Sequence, residues 1–124
     1  MHPFQEAVES GDIERVIATL ADDVVFLSPV VFKPYVGRDS VAMILRAVFR
    51  VFEDFRYERE IGGPDDSHHA LVFRARVGDR EVHGCDFVHV RDDGLVDELT
   101  VMVRPMSGAL ALAEAMRAEL EAAA

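Results

Sequence analysis

Residues 70–103 read ALVFRARVGDREVHGCDFVHVRDDGLVDELTVMV, three β-rich runs interrupted by Gly78-Asp79 and by Asp92-Asp93-Gly94. Glycine and aspartate in such short breaks supply the backbone angles of tight antiparallel turns. The spacing therefore predicts strands over 70–77, 81–90 and 95–103, with another over 55–61 set off by Gly62-Gly63-Pro64-Asp65-Asp66. Upstream, a helix from residue 39 or 40 to 53 carries one polar stripe, Asp39, Arg46, Arg50 and Glu53. Leu45, Val48, Phe49 and Phe52 lie off that stripe and need cover, which the strands can supply. Further out, Gly11 separates short helices over 4–9 and 12–20, the second N-capped by Asp12 and apolar at Ile13, Val16, Ile17 and Leu20. A strand over 24–28 ends at Pro29, and Pro29 and Pro34 frame a loop closing at Gly37. Residues 106–120 form a last helix, with Leu110, Ala113, Met116 and Leu120 available to cover an opening or a partner. Helices followed by a meander of strands make an α+β chain, in which a curved sheet wraps the long helix.

Composition narrows the partners. The 124 residues fit one domain, so residues 1–124 are treated as a single unit. Half are hydrophobic and 29% are charged, which excludes a disordered tail and a membrane span. Thirteen Lys and Arg against 23 Asp and Glu give a formal charge of −10, which disfavours nucleic acid and anionic membranes and leaves a small apolar ligand as the easier partner. Lys33 is the one lysine, a bias expected of a GC-rich bacterial genome. The single Cys85 forms no intrachain disulfide, and MHPFQEAVES lacks the basic start and apolar run of a secretion signal, so a cytoplasmic location is expected.

Side chains alternate faces along a strand, and that parity singles out one residue. In 70–77 the inner set is Leu71, Phe73, Ala75 and Val77. In 95–103 the more apolar set is Asp97, Leu99, Val101 and Val103. In 81–90 the inner set is Val82, Gly84, Asp86, Val88 and Val90, so Asp86 is a carboxylate among valines. Burying it ionised and unpaired would be costly, so it is hydrogen-bonded, protonated or beside a wetted cavity. A carboxyl held in an apolar pocket can donate to a ligand oxygen or act as a general acid. Its structural alternatives are a solvent-facing side chain, or a bond to backbone at an irregularity beside Gly84.

The segments Gly11-Asp12-Ile13-Glu14, Ala21-Asp22-Asp23 leading into a strand, Gly37-Arg38, and Gly84-Cys85-Asp86-Phe87-Val88 running to Asp93-Gly94-Leu95-Val96 resemble the NTF2-like superfamily. That group includes SnoaL-like proteins, ketosteroid isomerases and limonene-epoxide hydrolases. The resemblance spans nearly the whole chain. It implies a cone formed by a strongly curved, mostly antiparallel sheet around a long helix, with an apolar pocket at the open end, commonly in a homodimer. Ketosteroid isomerases use an Asp base with a Tyr and a protonated Asp as oxyanion hole. Laid over this chain, the protonated Asp falls on Asp86, the base on Ser28 before Pro29, and the Tyr on Phe4. A serine hydroxyl does not replace a carboxylate base, and phenylalanine donates no hydrogen bond, so chemistry of that type is disfavoured. The epoxide hydrolases place an Arg two positions before an Asp, where this chain has Gly84. SnoaL-like cyclases rely on an Asp general base, a role open to Asp86. Asp97, from the neighbouring strand, could be a second carboxylate, but its place beside the Asp93-Gly94 turn favours exposure.

No metal or cofactor is expected. His83 and His89 lie six residues apart in one strand, roughly 20 Å at about 3.3 Å per residue, and point away from Asp86. His68 and His69 are adjacent and diverge, and Gly62-Gly63-Pro64 opens no phosphate-binding helix. The outer set His83, Cys85, Phe87 and His89, with Thr100 and Met102, is too apolar for free solvent. It suits a homodimer face centred on Phe87, or else a seat for the C-terminal helix. The leading expectation is a pocket for a small, largely apolar ligand lined by Phe4, Phe26, Ser28, Phe49, Phe52, Phe73, Leu99, Val101 and Val103. Asp86 would be its acid or base in an isomerase-, cyclase- or hydrolase-like reaction. The alternative is a non-catalytic ligand-binding or dimerisation domain, and an open cavity beside Asp86 separates the two.

Overall fold

The computed structural model describes residues 3–123. In chain order the elements are α1 (Pro3–Ser10), α2 (Ile13–Ala18), β1 (Leu20–Leu27), β2 (Tyr35–Val36), α3 (Arg38–Val51), β3 (Glu53–Ile61), β4 (His68–Val77), β5 (Arg80–Val90), β6 (Val96–Arg104) and α4 (Met106–Ala123). The strands form one curved, unclosed sheet in the order β2-β1-β6-β5-β4-β3, antiparallel throughout except where β1 runs parallel to β6. Helix α3 lies against β1, β2 and α4, and its buried Val41, Ile44 and Leu45 join Leu71, Phe73 and Leu99 of the sheet in one core. This is the α+β architecture that the turn spacing implied. Among the described residues no helix is long and apolar enough to cross a membrane.

Three boundaries differ from the sequence reading. Leu20 satisfies the helical period of α2 but pairs with Val96 as the first residue of β1, and the Val96 amide donates to the Thr19 carbonyl at 2.9 Å. Strand pairing overrides the local apolar spacing there. Glu53, expected on the polar stripe of the long helix, opens β3 opposite Arg76, because α3 ends at Val51 and the Phe52 amide closes its last turn on Val48. The loop between Pro29 and Pro34 was expected to run on to Gly37. Instead Tyr35 and Val36 form a two-residue strand against Val25 and Phe26. The N-cap expectation for α2 is met: the Asp12 carboxylate accepts from the Glu14 and Arg15 amides.

Face assignments hold along β4 and β5, where Leu71, Phe73, Ala75, Val82, Asp86 and Val88 are all buried. They fail at the start of β6. A register irregularity between His89 and Val90 turns Val96 inward, where it is 1% exposed. Asp97 lies on the outer side instead, and its carboxylate meets His89 Nδ1 at 2.5 Å. Parity groups Asp97 with the inner set, but one bulge turns it outward, as its place beside the Asp93-Gly94 turn favoured, since a single extra residue flips every side chain before it.

Candidate functional site

A cavity of about 900 Å³ opens between the concave face of the sheet and helices α1, α3 and α4. That volume suits a small organic molecule. Its wall is largely apolar: Phe4 and Val8 from α1, Phe26 from β1, Val48 and Phe49 from α3, Leu99 and Val101 from β6, Met116 and Leu120 from α4. Asp86 is part of that wall, on β5 between Leu71 of β4 and Val101 of β6 in register, and is 8% exposed.

The Asp86 carboxyl accepts a hydrogen bond from the Tyr57 hydroxyl at 2.6 Å. The phenol reaches across β4 because Phe73, opposite Tyr57 in register, lies low on the sheet. Its neighbour Gly84 makes that possible: a Cβ at Gly84 would come within 2.7 Å of both Phe73 Cε2 and the Met102 carbonyl oxygen. Phe73 stacks on Phe55 at 4.9 Å, and Phe55 meets Tyr57 edge-on at 5.0 Å, so an aromatic cluster fixes the phenol's direction. Burial pushes the Asp86 carboxyl up to about 7, against a smaller downward pull from the Tyr57 hydrogen bond. Loss of water raises Tyr57 well above the usual phenol range, and the charges of Asp86 and, more weakly, Glu9 add to the rise. The tyrosine ring is only partly covered, but its hydroxyl is withdrawn from water against Asp86. No other side chain among the described residues bonds the Asp86 carboxyl. Its remaining capacity is open to an occupant of the cavity.

Of the residues expected to line a pocket, the structure places Phe4, Phe26, Ser28, Phe49, Phe52, Leu99 and Val101 on the cavity wall beside Asp86. Phe73 and Val103 do not belong there. Phe73 is 1% exposed beneath the other aromatic rings. Val103 stands opposite Gly84, at the end that the first turn of α4 closes by laying Gly108 against Glu81 and Val82. Ser28 Oγ accepts from the amides of Val30 and Val31 at 3.1 and 3.2 Å, so its oxygen is occupied in holding the turn. The sequence reading missed Tyr57, and with it Glu9, Arg56 and Arg117, all of which reach the cavity wall. Tyr57 had a detectable signal, its place two residues after Phe55 on an edge strand, but two irregularities in β3 break the alternation that would have assigned its face.

The other chemistry-bearing groups are structural. His69 Nε2 meets the Asp66 carbonyl at 2.8 Å, and the His68 and His89 rings lie tilted against each other at 4.6 Å. Burial pushes the Cys85 thiol up, away from nucleophilic behaviour. Among the described residues no three His, Cys, Asp or Glu side chains are placed to hold a metal ion.

Comparison with known proteins agrees with this architecture. Residues 2–99 match the SnoaL-like domain family. A crystal structure of a steroid Δ-isomerase from Pseudomonas aeruginosa superposes with a TM-score of 0.89 at 43% identity, covering 94% of this chain and 85% of that one. A bacterial protein of cystatin-like fold from Silicibacter pomeroyi superposes with a TM-score of 0.89 at 38% identity, covering 98% and 87%. A de novo designed protein with a curved β-sheet shares the fold alone, with a TM-score of 0.71 at 14% identity over 90% and 93% of the two chains. No match was found among curated proteins. A family match across most of the chain, carried on the same curved sheet and long helix, establishes that this chain belongs to the SnoaL-like family of the NTF2-like superfamily.

Proposed function

We propose that the cavity binds a small, largely apolar ligand carrying an oxygen function, and that Asp86 is the acid or base of an isomerase- or cyclase-type proton transfer. The observation that carries this reading is the position of Asp86: a buried carboxyl on the wall of an open apolar cavity, braced by one phenol. A carboxyl that titrates near neutrality exchanges a proton at little free-energy difference between its two states, which is what general acid–base chemistry needs. Protonated, Asp86 donates to a carbonyl or enol oxygen. Ionised, it takes a proton from carbon or hydroxyl. The test uses 2-naphthol as an oxygen-bearing probe, followed by its fluorescence from pH 5 to 9 in the wild type and in Asp86→Asn. Affinity should depend on pH with a midpoint near 7 in the wild type and be flat in the variant. Absence of binding overturns the pocket, and an identical profile in the variant removes Asp86 from it.

The similarity to a protein named a steroid Δ-isomerase favours proton transfer beside a carbonyl, although the family resemblance puts Phe4 and Ser28 where the isomerases have their Tyr and base. Tyr57 brings a phenol to Asp86 from another strand, so a phenol-braced carboxyl donor is present without the base. A 3-oxo-Δ5-steroid is therefore expected to isomerise slowly or not at all, and fast turnover would refute the placement of Ser28. We also propose that the outer face of β5 and β6 carries a homodimer contact. Phe87 and Met102 are 42% and 59% exposed there, and α4 packs on the opposite face, over the cavity.

A further inference from the structure

The charged side chains on the cavity wall divide by exposure. Asp86 is buried, whereas Glu9, Arg56 and Arg117 are exposed and mark where the wall meets solvent. Arg56 sits on edge strand β3 beside Tyr57, and its Nη1 donates to the Asp54 carbonyl at 2.9 Å. It makes no ion pair among the described residues. Arg117, on α4, donates to Glu121 at 3.3 Å across a solvent-exposed pair that contributes little. Glu9 opposes them, accepting from the Gln5 amide at 3.1 Å. The rim thus holds two guanidiniums facing Glu9, with Glu121 paired to Arg117 beside it, so Arg56 is the guanidinium there without an ionic partner among the described residues, on a chain with a formal charge of −10. Guanidinium forks fit a planar, singly charged carboxylate, whereas a doubly charged phosphate meets more repulsion from Glu9 and from the chain's field.

We propose that the ligand is an amphipathic anion, its apolar body filling the cavity and its carboxylate held at the rim by Arg56 and Arg117. This rests on the reading of the cavity as a ligand site and adds the chemical class of the ligand. The test is displacement of N-phenyl-1-naphthylamine from the full chain by decanoate, decan-1-ol and decylamine at low and high salt. Decanoate should displace the probe at roughly threefold to tenfold lower concentration than decan-1-ol, the range that two partly exposed charge-assisted contacts give. Salt should shrink that advantage. In Arg56→Gln/Arg117→Gln the ratio of the two affinities should fall to about one. A ratio near one in the wild type, a ratio that persists in the double variant, or a preference for decylamine overturns the rim assignment while leaving the cavity reading intact. Failure of the probe and of all three decyl compounds to bind overturns the cavity reading itself.

Discussion

Replacing Asp86 with Asn should change how stability depends on pH, in a direction that the structure fixes. In the folded chain burial raises the Asp86 carboxyl from 3.8 to about 7. Between those values the folded state keeps a proton that the unfolded state has released, so stability falls as pH rises through that window. The contribution is complete below the unfolded value and is lost once pH passes the folded one. A gap of about three pH units at 1.36 kcal/mol each gives about 4 kcal/mol. Asn keeps an oxygen that can accept from Tyr57 and has no proton to lose. Urea denaturation of both proteins from pH 4 to 8 isolates the effect, because every other titrating group is common to the pair and cancels in the difference. The stability of Asp86→Asn minus that of the wild type should climb by about 4 kcal/mol across the range, most steeply between pH 5 and 7. A flat difference, or one that falls with pH, would mean that Asp86 is solvated and that the cavity wall is wrongly drawn at its centre.

Tyr57→Phe removes the bond that favours the charged carboxyl, so the Asp86 midpoint should rise by about one to two pH units, from the 1.5–3 kcal/mol of a hydrogen bond to a charge. Carboxyl carbon shifts by NMR would read it, and an unchanged midpoint would deny the 2.6 Å contact its role. Gly84→Ala should destabilise the fold by about 1–3 kcal/mol in urea, because the new methyl meets the Phe73 ring and the Met102 carbonyl together. Light scattering of the dilute wild type should give twice the chain mass, with Phe87→Asp shifting it towards the single chain. A wild-type monomer ends the interface proposal.

The sheet was legible because its turns are glycine and aspartate at short spacing and strands β4 and β5 alternate without interruption. That same alternation put Asp86 inside before any contact was known. Bulges hid the rest. In β3 the register slips after Glu53 and again after Tyr57, so Ile61, which parity groups with Tyr57, faces out and is 54% exposed. In β6 the slip near Val90 exchanges Val96 and Asp97. Phe73 shows a different limit. Its inner face was read correctly, but whether an inward ring lines a cavity or fills the core depends on Gly84 across the strand, and spacing along one strand carries no information about its neighbour's volume.

The Tyr57–Asp86 pair also explains how an acid can sit on a core-facing strand position without unravelling it. An ionised Asp86 accepts the phenol proton, and a protonated Asp86 still accepts it on its carbonyl oxygen while its own hydroxyl is free to turn to the cavity. The internal bond survives both states, so no side chain is stranded when the proton leaves. A valine at position 86 would pack against Leu71 and Val101 more favourably but would leave the phenol buried without an acceptor. The two residues are therefore coupled: either substitution alone strands a partner or shifts a charge, whereas a double replacement by apolar residues should recover stability while emptying the wall of its proton-transfer group. Super-additive recovery in that cycle, measured as unfolding free energy at pH 8, is the outcome expected of a site maintained for chemistry on a fold that would be steadier without it.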